Sequence, residues 1–148
     1  MSFSSELLGW VERTKRRQQV VFQTAAQFLA EDILERTPVD TGFLRGSFRT
    51  DPNKPVKIGD TPNGFEGIAA AKATDTIYMG FGAVYAMRIE YGFDGEDSLG
   101  RYYYQDGAGM VRLAWQNWPQ HVSKAAAQVR SSWKGQTASE KAQKANSA

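Results

Sequence analysis

Apolar residues recur at helical spacing from the start of the chain. Leu7, Leu8 and Val11 share a face, which resumes after a polar stretch at Phe22, Ala25, Ala26, Leu29 and Ile33. Ser4 or Ser5 can cap this helix, and Glu6 suits the positive end of its first turn. Run without a break to Arg36, the helix would be ~50 Å long at about 1.5 Å per residue, more than a small domain needs, so its first half is expected to project. It stops within residues 34–50, LERTPVDTGFLRGSFRT, the joint on which the rest of the chain turns. Pro38 ends the helix, Asp40 can bond neighbouring backbone amides, and Gly42 gives the corner a permissive backbone. Beyond it Phe43, Leu44 and Phe48 alternate approximately with Arg45, Ser47 and Arg49, the pattern of a strand.

Pro52, Pro55 and Pro62 bar a long central strand from residues 51–74, which read as a loop with a short strand near Val56 to Ile58. Asp75 to Gly82 is the clearest second strand, with Ile77, Met79 and Phe81 on one side. Tyr85 to Gly92 reads as a short helix ended by glycine, and Tyr102 to Tyr104 as a half-buried strand pairing with the sheet. From Gly109, apolar residues from Val111 through Ala114, Trp118, Val122 and Val129 to Trp133 mark a second long helix, kinked at Pro119. The predicted fold class is α+β: a long N-terminal helix, a small antiparallel sheet with a short helix, and a kinked C-terminal helix packed on it. Residues 1–132 form one domain in this reading. From Lys134 to Ala148 the chain has no apolar face, and 133–148 is expected to be a disordered tail.

Composition narrows the chemistry. A chain of 148 residues can bury a core without disulfides or metal, and with no cysteine it has no disulfide, cysteine-zinc or thiol chemistry. Its 18 Lys and Arg against 16 Asp and Glu are too balanced for the whole surface to bind nucleic acid. No cofactor is expected. The N-terminal stretch lacks the order of a signal peptide and no apolar run reaches a bilayer's width, so the expectation is a soluble protein made in the cytoplasm, with no membrane partner.

Local clusters carry the remaining possibilities. Arg13, Lys15, Arg16 and Arg17 form a basic collar between the two apolar segments of the first helix, suited to a solvated face, to phosphates or to an acidic partner. Leu7, Leu8, Trp10 and Val11 form an apolar half-turn that can anchor a neighbouring subunit. Asp40-Thr41-Gly42 matches the triplet of aspartic proteases, in which two carboxylates of a dimer share a proton, but it follows a helix rather than lying between buried strands. His121, the one histidine, has no neighbouring ligand residues, and Glu31, Asp32 and Glu35 suit salt bridges. The glycines of GFG and GFDGEDSLG fit no phosphate-binding loop. No catalytic or metal-binding constellation is expected.

The order of three motifs points further. Thr37 to Ser47 (TPVDTGFLRGS), Tyr85 to Gly92 (YAMRIEYG) and an Arg-x-Ala element at Arg112 to Ala114 resemble, over residues 20–130, the neck and tail-completion proteins of long-tailed bacteriophages. Gly107, Ala108, Gly109 and Met110 stand where that family often has prolines and a phenylalanine. The resemblance implies a non-enzymatic virion subunit of the head-tail junction, made in the host cytoplasm and assembled as a six-fold or twelve-fold homo-oligomeric ring. Its partners would be the adjacent head-closure or connector proteins and tail-tube or tail-terminator proteins. Within such a ring the collar at Arg13, Lys15, Arg16 and Arg17 would face the packaged DNA, the carboxylates of a neighbouring subunit or a neighbouring ring, and Leu7, Leu8, Trp10 and Val11 would hold subunits together. The alternative reading is a free nucleic-acid-binding module.

Overall fold

The computed structural model describes residues 2–40 and 42–147, with the backbone alone at 135–138, 140 and 144. Helix α1 runs unbroken from Phe3 to Arg36, beginning just before the serines expected to cap it. Its last turn is closed by Thr37, buried, whose hydroxyl donates to the Ile33 carbonyl at 2.6 Å. That bond satisfies one of the carbonyls a helix end leaves unpaired, and Pro38 follows at once.

The corner differs from the expected strand. Gly42, at φ +80°, occupies the left-handed region that glycine enters without penalty, and it starts one helical turn, α2 (Phe43–Gly46). Leu44 is thereby turned inward while Phe43 stays exposed. The helical turn wins because Ser47 closes it: its backbone N–H reaches the Phe43 and Leu44 carbonyls and its hydroxyl donates to Leu44 at 2.7 Å. Strand β1 (Phe48–Asp51) begins only after it.

The next segment contains no strand at Val56 to Ile58; it folds back on β1 through side chains. The Asn63 carboxamide accepts from the Thr50 N–H and donates to the Thr50 carbonyl, both at 2.9 Å, making the pair of bonds a third strand would have made. The Thr50 hydroxyl donates to the Gly64 carbonyl and accepts the Gly67 N–H, which docks the short helix α3 (Glu66–Ala69). Strand β2 (Tyr78–Phe81) then pairs antiparallel with β1, placing Phe48 opposite Phe81.

Helix α4 (Ala86–Tyr91) forms where the sequence predicts it and ends at Gly92, φ +85°. Strands β3 (Gly92–Glu96) and β4 (Tyr102–Asp106) form a second antiparallel pair, separate from the first. Tyr102, Tyr103 and Tyr104 are therefore exposed instead of half-buried against the sheet: their partner strand packs on α4, away from the core. Two helices complete the chain, α5 (Met110–Gln116) and α6 (Trp118–Asn146). The expected kink is a one-residue break at Asn117, with Pro119 in the first turn of α6, where its missing N–H costs nothing. Residues 133–146, expected to be disordered, continue α6; Lys, Gln, Glu and Ala are good helix formers even without an apolar face.

Helix α6 packs antiparallel along α1, so that Trp133 lies beside Arg17 and His121 beside Asp32. From Arg17 onward α1 is thus one side of a two-helix stem. The main core gathers Ala26, Leu29, Ala30 and Ile33 of α1 with Phe48, Ile68 and Ala114, and Phe65 meets Phe48 edge-on at 6.2 Å. A smaller core of Leu44, Ala83 and Met110 sits under the corner. Among the described residues no helix is long and apolar enough to cross a membrane.

Among the described glycines Gly67 has the least room for a side chain. A Cβ there would lie 2.1 Å from the Thr50 carbonyl oxygen. Gly67→Ala should cost about 1–3 kcal/mol through overpacking, read as a lower urea midpoint, and an unchanged midpoint would remove α3 from the cooperative core.

Candidate assembly surfaces

The three motif stretches meet. Glu90, buried in α4, accepts the N–H groups of Val111 and Arg112 at 2.9 and 3.0 Å, so its carboxylate occupies the positive N-terminal end of α5. The Arg112 guanidinium returns a hydrogen bond to that carboxylate at 3.1 Å and another to the Glu90 carbonyl at 2.9 Å. Leu44 from the corner packs with Met110 of α5, and Ala86 and Ile89 of α4 close over them. Gly107 and Gly109 allow the approach: a Cβ on Gly107 would stand 2.6 Å from the Glu90 carbonyl oxygen, and Gly109 has φ +60°. The outer residues of the same joint, Val39, Phe43, Tyr85 and Met87, are exposed, with the Phe43 and Tyr85 rings 6.1 Å apart.

Pro38, Asp40 and Gly42 lie on the surface side of this joint, Asp40 exposed. The triplet thus lies between the end of α1 and the start of α2, and not between buried strands. Among the described residues no three His, Asp or Glu side chains converge as a metal site.

Arg13, Lys15, Arg16 and Arg17 divide around the stem. Lys15 and Arg16 border a hollow of ≈ 490 Å³ with Lys72, which the Gln23 amide helps to place by donating to the Ala71 carbonyl at 2.8 Å. Arg17 turns the other way, its guanidinium 4.7 Å over the Trp133 ring, beside Arg130 and Lys134. Lys72 and Arg130 lie far from the collar in sequence and join it only through tertiary packing. Leu7, Leu8 and Trp10 are exposed near the free end of α1, and Val11 is half-buried.

His121 belongs to a different cluster. Its Nε2 lies 2.9 Å from Asp32 Oδ2, which also accepts from Asn117, while Oδ1 accepts from Arg36 at 2.7 Å. Burial alone would raise the Asp32 pKa, but these hydrogen bonds and the Arg36 charge outweigh it and hold the carboxyl below its ordinary value. Among the described residues no hydroxyl joins His121, so the pair braces the break between α5 and α6 against α1 and offers no nucleophile.

The β3–β4 hairpin was the feature least visible in the sequence. Its register places Asp94 opposite Tyr104 and Glu96 opposite Tyr102, so carboxylates and phenols alternate on one exposed face. The Tyr102 hydroxyl donates to Asp94 and the Tyr104 hydroxyl to Asp106, bonds that raise both phenol pKa values.

Comparison of the chain with protein-family models, with curated proteins and with solved structures gives no match.

Two measurements test the bracing roles. Asp32 binds protons less readily folded than unfolded, so the stability it contributes is complete above the ordinary aspartate value of 3.8 and is lost as pH falls below it. Asp32→Asn should therefore flatten the acid limb of a stability-pH curve, whereas an unchanged limb would count against the cluster. Glu90→Ala leaves the start of α5 uncapped and should cost about 2 kcal/mol in urea unfolding, with a loss under 0.5 kcal/mol contradicting the joint described above.

Proposed function

We propose that the chain is a structural subunit of the head-tail junction of a long-tailed bacteriophage, closing into a six-fold or twelve-fold ring around the DNA channel. The ring joins or completes the tail and meets a connector or head-closure protein on one side and a tail-tube or terminator protein on the other. The observation that carries this reading is the convergence of the three motif stretches on one joint: Glu90 and Arg112, 22 positions apart, hold α4 to α5 over Leu44 of the corner. Those stretches thus work as one unit of architecture, with their outer residues, Phe43, Tyr85 and Met87, left at the surface.

The stem supports the same reading. A monomer gains nothing by exposing Phe3, Leu8 and Trp10 at the end of a long helix, but a subunit that orders against neighbours does. Basic residues around the stem are multiplied by ring symmetry into a belt of high local charge.

Disrupting the encoding gene in its phage should leave filled heads and separate tails under the electron microscope, and intact infectious virions would overturn the proposal. A chain lacking residues 1–12 should still unfold in one cooperative transition, with its helical signal reduced only by the residues removed, yet fail to complement the disruption. Full complementation would remove Leu7, Leu8, Trp10 and Val11 from the assembly surface.

A further inference from the structure

The charges of this chain are separated in space although they nearly cancel in number. The hairpin from Gly92 to Asp106 carries four carboxylates against one arginine, whereas Lys15, Arg16 and Lys72 crowd a hollow that contains one carboxylate, Glu12. Among the described residues no ion pair joins these two regions. About 24 Å of α1 separates Arg17 from Ile33 in the core, at 1.5 Å per residue, and the hairpin packs on α4.

The two faces of the hairpin are unlike. Phe93 and Gly95 lie half-buried on one, Phe93 beneath the Arg88 guanidinium of α4 at 4.2 Å, with Tyr103 and Gln105 exposed on the same side. Asp94, Glu96, Tyr102, Tyr104 and Asp106 occupy the other, every one exposed. The internal bonds of Tyr102 to Asp94 and Tyr104 to Asp106 hold phenols and carboxylates in one layer before any partner arrives, which lowers the ordering cost of binding. Tyrosine and arginine are the side chains that contribute most at the centre of interfaces, and arginine stacks on aromatic faces. This chain already uses that pairing within itself, Arg112 lying 4.6 Å over Tyr91 and Arg101 5.8 Å over Tyr103.

We propose that the acidic, tyrosine-bearing face of the β3–β4 hairpin docks on the basic hollow of Lys15, Arg16 and Lys72 in a second copy of this chain. The two surfaces are different, so the contact is head-to-tail, and each copy gives its hairpin to one neighbour and its hollow to the other. Contacts of this kind close into a ring when the rotation per subunit divides a full turn. This rests on the ring reading above and supplies its subunit contact. It also assigns the Lys15 side of the stem to a neighbouring subunit instead of to DNA. The occupant is a second copy because the complementary surface lies on this same chain, which keeps a balanced formal charge of +2 while displaying two opposite poles.

The test is the mass of the full-length protein by sedimentation and light scattering over a range of concentration and salt. Glu96→Lys with Asp106→Lys reverses the hairpin, and Lys15→Glu with Arg16→Glu reverses the hollow. Glu96→Lys alone, whose carboxylate has no described partner, serves if the double hairpin variant loses its helical spectrum. Each reversed protein by itself should associate at least about tenfold more weakly than the unaltered chain. An equimolar mixture of the two should recover, because each altered surface then meets its complement and the copies alternate. A purely structural effect of the substitutions would not be repaired by mixing.

Several results would overturn the docking: a parent protein monomeric at every concentration, association indifferent to both reversals, or variants that do not rescue each other. So would a hollow variant that loses only salt-sensitive binding to a DNA duplex, which would return the hollow to phosphate contact. A closed ring unaffected by the reversals refutes the docking and leaves the ring reading standing. An open series of sizes that the reversals abolish and mixing restores supports the docking and refutes the closed ring.

Discussion

The structure depends on how closely α1 approaches the elements that cross it. Ala25, Ala26 and Ala30 are at most 2% exposed, and the partners brought against α1 include Ala114 of α5 and Ala125 of α6, both at 0%. Alanines on both sides let helix backbones come near each other, and the larger Leu29 and Ile33 fill the space beside them toward Phe48 and Ile68. A methylene added at these alanines would push the helices apart along their length, so this seam sets where every later element can sit. Having fixed α6 antiparallel to α1, it makes the stem; having fixed α5 across α1, it presents the start of α5 to Glu90.

Polar groups then decide the details that apolar packing leaves open. The Asp32 cluster holds the break at Asn117 to α1, and Glu90 holds α4 to α5. Asn63 and Thr50 do the same for a loop whose prolines prevent a regular strand. Glu90 and Asn63 supply to backbone groups the hydrogen bonds that a continuous helix or ladder would have supplied, whereas Asp32 joins side chains of three separate turns. The function proposed for the protein draws on the same economy: rigid joints are formed within the subunit, and the exposed stem, corner and hairpin are left for neighbours.

The local pattern determined a good deal by itself. Helix α1, the strand at Tyr78 to Phe81, the short helix ending at Gly92 and the disturbance near Pro119 follow from apolar spacing and from glycine and proline, which act over a few residues. The basic run and the apolar half-turn each lie within two turns of one helix, but the division of the basic side chains between two sides of the stem came only with packing. Tertiary structure decided the rest. Residues 43–46 became helical because Ser47 and the small core under Leu44 favoured a turn that alternation alone read as a strand. The tyrosine strand paired with Gly92 to Glu96 and stood away from the core, because its partner was set by α4 and not by its own sequence. Lys72 reached Lys15 and Arg16, and His121 reached Asp32, across 89 positions in the latter case. Spacing along the chain fixes which face a side chain takes on its own element, but which distant side chain it meets depends on the packing of elements, and single-chain periodicity carries no term for that.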